Sequence, residues 1–143
     1  MLADAPGIQD SGVVRIRALL VAARADLAAD VRDLSQDVRR KTHGKGTVPD
    51  RSAPIERIRR KLEVLRTSVE STTVAGSGVT ARDLTARALR ENEQALGKLI
   101  QGYATPDQAS AHALIAESVR LTAQSKATSV RAGQALGIAW PLP

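Results

Sequence analysis

Apolar residues at Val13, Ile16, Leu20, Ala23, Leu27, Val31, Leu34 and Val38 follow one another at steps of three and four. Neither glycine nor proline interrupts them after Gly12. Such steps place side chains along one stripe of an α-helix but on both faces of a strand. The run therefore reads as an amphipathic helix from about Ser11 to Lys41. At 1.5 Å per residue, some 30 residues form a rod of roughly 45 Å. A rod with one apolar stripe needs other elements to cover it.

The rest of the chain supplies them. The segment THGKGTVPDRSAP, residues 42–54, holds two glycines and two prolines and reads as a long loop. A second helix is expected over about 52–72, with Ser52 as N-cap, Pro54 in the first turn and Ile55, Ile58, Leu62, Leu65 and Val69 as its stripe. VAGSG, residues 74–78, breaks the chain. Thr80 with Asp83 has the form of a capping box and opens a third helix to about Gln101, with Leu84, Ala88, Leu96, Leu99 and Ile100 as core candidates. Gly102 stands where a left-handed stop is expected. In Thr105-Pro106-Asp107-Gln108, Thr105 reads as the next N-cap, and a fourth helix runs over about 106–136 on Ala113, Leu114, Val119, Leu121, Thr128 and Val130. Its Ala, Ser and Thr content implies close packing over little apolar area, or a face completed by a partner. GIAWPLP closes the chain as an apolar, non-helical tail. The expected fold is all-α: an antiparallel four-helix bundle with a long first helix. It divides into a flexible arm (1–10), the bundle (11–136) and an extended C-terminal tail (137–143).

Composition narrows the chemistry. The only aromatic residues are Tyr103 and Trp140, and phenylalanine and cysteine are absent. Ligand pockets usually have aromatic walls, so no small-molecule substrate is inferred. Without cysteine there is neither a disulfide nor a thiolate metal site. His43 and His112 are the only histidines, and the Glu-x-x-His pattern of di-iron bundles is missing. No metal and no cofactor are expected. Gly44-Lys45-Gly46-Thr47 lacks the upstream glycine and the strand-to-helix context of a phosphate loop. No run of 18 apolar residues suggests a membrane span. The opening residues, with Asp4 and Asp10, do not look like a secretory signal. The expected location is the cytoplasm or a particle assembled there.

Two short stretches resemble known patterns. His112 and Leu114, with Ala116 in place of a glycine, resemble the His-x-Leu-Lys-Gly-Ser pattern of histidine phosphotransfer domains. Ile115 stands where that family has its phosphate-holding lysine, and His112 reads as a helix-surface residue. Tyr103 and Asp107 have a spacing similar to that of type VII secretion substrates, whose Trp-x-Gly turn is absent here. No enzyme is expected.

Charge is the feature that stands out. The net charge is +6, and residues 39–66 hold ten basic residues against three acidic ones, a balance of +7. Arg39, Arg40, Lys41 and Lys45 gather at the end of helix one. Arg57, Arg60 and Lys61 share one side of helix two, and Arg59 and Arg66 lie on the other. These nine are the candidate polyanion-binding residues, suited to phosphate without base readout. Ile138, Trp140 and Leu142 are candidates for docking to a partner, since tryptophan is a common interface anchor. A non-enzymatic assembly or adaptor protein that binds a protein partner or itself is the first expectation. It would be a repeated subunit of a larger particle such as a virion connector. Nucleic-acid contact is the alternative.

Overall fold

The computed structural model describes residues 11–42 and 52–143, and in the first span describes side chains as far as residue 34. The described residues form an all-α bundle of four helices: α1 (Ser11–Thr42), α2 (Ser52–Glu70), α3 (Gly78–Ala104) and α4 (Gln108–Leu136). No strand occurs among the described residues. The N-terminal arm and Lys45 lie outside them.

The tightest pairing is between α3 and α4. On α3, Ala81, Ala88, Ala95 and Gly102 recur every seven residues. On α4, Ser118, Ser125 and Ala132 do the same, and all seven are buried. The two rows face each other in opposite directions. Ser118 Oγ donates to the Ala95 carbonyl at 2.7 Å, and Ser125 Oγ to the Ala88 carbonyl at 2.8 Å. A Cβ on Gly102 would lie 3.0 Å from Ile115 Cγ1 and 3.4 Å from the Ala111 carbonyl oxygen, so only glycine leaves this approach unstrained. Helices with such small residues can bring their backbones close, and each buried hydroxyl here is hydrogen-bonded.

The other face of α3 meets α2, with Arg66 beside Glu93 and Glu70 beside Arg90. α1 packs against α2 and, to a smaller extent, α3. Ile16, Leu20, Val69, Leu89 and Leu136 are the fully enclosed side chains at the centre of the aliphatic core. Arg17 Nε donates to the Leu136 carbonyl at 2.7 Å, which fastens the start of α1 to the end of α4. A cation is well placed there, against the negative end of the helix dipole.

Several local expectations are corrected. α3 begins at Gly78, and its N-cap Ser77 makes no side-chain cap, so Thr80 and Asp83 form no box. Gly102 is helical rather than a left-handed stop, because α3 continues to Ala104. Proline disfavours helical backbone in the residue before it. Thr105 is accordingly extended, with φ −90° and ψ 118°. Its hydroxyl donates back to the Gln101 carbonyl at 2.6 Å. The N-cap of α4 is Asp107, whose carboxylate accepts from the Ser110 N–H at 2.9 Å. Val119 and Val130 are exposed, since the rows that face α3 are those of Ser118, Ser125 and Ser129. Leu89 is the enclosed leucine of α3, while Leu84, Leu99 and Ile100 are half-buried.

These placements separate two substitutions that residue type alone would rank together. Leu89→Ala is expected to cost about 2–5 kcal/mol in urea unfolding. Val119→Ala should stay within about 0.5 kcal/mol of the parent chain.

Candidate functional site

The basic side chains of α2 divide between its two flanks, and most are paired. On one flank Arg59 grips Glu56 with Nε at 2.7 Å and Nη2 at 2.6 Å, and reaches Glu63 at 3.3 Å. Arg66 holds Glu93 with Nε at 2.6 Å and Nη2 at 3.2 Å, and Glu70 at 2.8 Å. On the other flank Lys61 Nζ lies 2.7 Å from Asp26 and 2.6 Å from Asp30 of α1. Arg60 lies 3.1 Å from Glu56 and is well exposed. Arg57 is exposed and makes no ion pair among the described residues. The side chains of Arg39, Arg40 and Lys41 fall outside the described residues, as does Lys45.

The pairing shifts the groups concerned. Hydrogen bonds from Arg59 and then Arg60 pull the Glu56 carboxyl down to about 2, against desolvation, and Glu56 in turn raises Arg59. Glu93 and Glu70 likewise raise Arg66, and Asp26 followed by Asp30 raises Lys61. Arg59 and Arg60 are thus met by acids of α2 itself, while Lys61 and Arg66 are also met by Asp26 and Asp30 of α1 and Glu93 of α3. Sequence reasoning missed these acids because the pairs span 27 to 35 residues.

Arg57, Arg60 and Lys61 come together on one feature, a groove of about 450 Å³ between α1 and α2. Leu19, Ala23, Leu27 and Leu65 form its apolar lining, and Val64 stands on its rim with 67% of its surface exposed. The α2 wall is basic. The α1 wall carries Asp26, and Asp33 lies just beyond it in a smaller cleft beside Arg57.

The tail starts with a left-handed residue, Gly137 at φ 72°. Its N–H donates to the Gln134 carbonyl at 3.2 Å, and the Ile138 N–H to the Gly133 carbonyl at 2.9 Å, the pair of bonds that defines a Schellman stop. The chain then returns across Gly133, where a Cβ would meet the Ile138 carbonyl oxygen at 2.7 Å and the Trp140 nitrogen at 3.2 Å. Ile138, Trp140 and Leu142 are half-buried against the bundle's own core. Trp140 and Leu142 also wall a second groove of about 410 Å³, together with Leu89, Lys126 and Val130.

Other chemistry is sparse. His112 is exposed on α4. Among the described residues, no group of three or more His, Asp or Glu could hold a metal ion, and no helix is long and apolar enough to cross a membrane.

Two stability measurements check the paired charges. Glu56 carries a folded pKa below its ordinary 4.5, so its pairing stabilises the fold above that pH and is lost as pH falls towards about 2. The gap in thermal midpoint between the parent and Glu56→Gln should accordingly close as the pH is lowered from about 5 to about 2. Arg66→Ala, which leaves the buried Glu93 uncompensated, should cost up to about 3 kcal/mol, and Arg66→Met with Glu93→Leu should recover much of it.

The chain matches no known family, no curated protein and no solved structure.

Proposed function

We propose that this chain is a non-enzymatic assembly protein that acts through protein–protein contacts, as a repeated subunit of a larger particle such as a virion connector. The observation that carries this reading is the α1–α2 groove, with its apolar lining, its exposed Val64 and walls of opposite charge. Such a surface is self-complementary. Turning a second copy about a two-fold axis along the helices lays the Arg57 and Arg60 wall of each copy against the Asp26 and Asp33 wall of the other. In this reading the four helices form an antiparallel bundle with α1 as its longest member, in the cytoplasm or in a particle assembled there.

Nucleic-acid contact through residues 39–66 is the competing reading. Its described share rests on Arg57 and on Arg60, which stays exposed while it reaches Glu56, because Arg59, Lys61 and Arg66 are more enclosed and held by carboxylates.

Size-exclusion chromatography with light scattering, recorded at 260 and 280 nm in low and high salt, distinguishes the two. The assembly reading expects a mass that is a multiple of 15.2 kDa and persists in salt. It also expects Val64→Asp to reduce that mass to the monomer. A monomer that carries 260 nm material at low salt and sheds it at high salt would overturn the proposal.

A further inference from the structure

The groove of about 410 Å³ opens where the tail crosses the α3–α4 hairpin. α3 contributes Leu89 and Asn92, α4 contributes Lys126 and Val130, and Trp140 and Leu142 of the tail close it. Its size lies within the range of about 300–1,000 Å³ common for small-molecule sites, which are mostly apolar with a few polar groups. Aromatic walls are scarce in this chain, but here one of its two aromatic residues is such a wall.

The polar groups of the groove fall into two sets. The hydroxyls are engaged: Thr122 donates to the Ser118 carbonyl, Ser125 to that of Ala88 and Ser129 to that of Ser125. The Asn92 amide, the Lys126 ammonium and the Trp140 indole N–H make no hydrogen bond or ion pair with a described residue. No acidic side chain lines the groove. Glu91 and Glu93, on either side of Asn92 in sequence, are turned to Thr128 and Arg66. Glu117 is the one acid of α4 and is bound to Arg120. It stands about two and a half turns from Lys126 and so faces the opposite way. Pro143 borders the groove, is exposed and forms no ion pair with Lys126. Unused donors and one positive charge thus lie beside an apolar wall.

We infer that this groove binds a small amphipathic organic anion. Its carboxylate or sulfonate meets Lys126 and Asn92, and its apolar body lies against Leu89, Val130, Leu142 and the Trp140 ring. Donors beside a cation suit an anionic acceptor, and the aliphatic and indole surfaces suit a hydrocarbon body. A partner helix is too large. One turn of a helix about 10 Å wide fills about 420 Å³, so the whole groove would hold a single turn. A second folded copy presents helices and meets the same limit. A phosphate backbone would use Lys126 but leave Trp140 and Leu142 uncovered. The inference does not rest on the assembly reading, since the α1–α2 groove shares no residue with this one.

The test is equilibrium dialysis of the full chain against octanoate, octanol and octylamine, each below the concentration at which it forms micelles. The three share one apolar body and differ in head group. Trp140, the only tryptophan, reports from the groove wall by its fluorescence. Octanoate should bind saturably and change that emission, octanol should bind less tightly, and octylamine, protonated at neutral pH, should not bind. Lys126→Gln should weaken octanoate by about three- to fivefold, the usual size for an exposed ion pair, and leave octanol unchanged. Lys126→Glu should reverse the order of octanoate and octylamine. Val130→Asp, at a position 55% exposed, should weaken both octanoate and octanol. Val64→Asp, on the other groove, should leave both unchanged. Equal binding of the three probes, octanoate binding unaltered by Lys126→Gln, or no binding below the micellar range would overturn the inference. So would Trp140 emission that depends on protein concentration without any probe and loses that dependence in Val130→Asp, which would assign the groove to a second copy.

Discussion

The hydroxyls of Ser118 and Ser125, donated to carbonyls of α3, govern how closely α4 can lie to its neighbour, and the rest of the bundle is arranged around that pair. A larger residue at either seven-residue row would push the helices apart and leave those buried hydroxyls without acceptors. With α4 seated on Ala81, Ala88 and Ala95, α3 turns Leu89 and Thr85 inward and offers Glu93 to Arg66 of α2. α2 in turn brings Lys61 to Asp26 and Asp30, which holds α1. Each helix is thus positioned mainly by its neighbour in sequence, with Arg17 joining the first to the last.

That hierarchy explains what could be read from the chain and what could not. The three- and four-residue spacing of large aliphatic residues marked α1 and α2 within a few positions, and Ile55, Ile58, Leu62, Leu65 and Val69 are all buried. The same rule misplaced the core of α4, because it looks for bulk, and the seam there is built from serine, alanine and glycine. Val119 and Val130 match the rule by size and lie in solvent. At the corner after α3, a glycine and a proline compete as stop signals. The proline prevails because its steric demand on Thr105 is obligatory, whereas Gly102 merely permits a left-handed turn.

The charged segment was legible as composition but not as geometry. Ten basic residues within 28 positions look like a surface for polyanions. In the folded chain Glu93, Asp26 and Asp30 arrive from other helices and occupy Arg66 and Lys61. What remains accessible of the described cations on α2 is a border to an apolar groove.

The contact between Arg17 and Leu136 spans 119 residues, while those between Ser118 and Ala95 or Ser125 and Ala88 span 23 and 37. Closing a longer loop costs more chain entropy before any contact is gained. Local pairings therefore have a kinetic advantage over distant ones. The α3–α4 hairpin can assemble early from its own residues, and the arginine latch belongs to the last stage, when α1 has found the completed end of α4. By the same logic the chain opens in reverse, with α1 leaving first and the small-residue hairpin surviving longest.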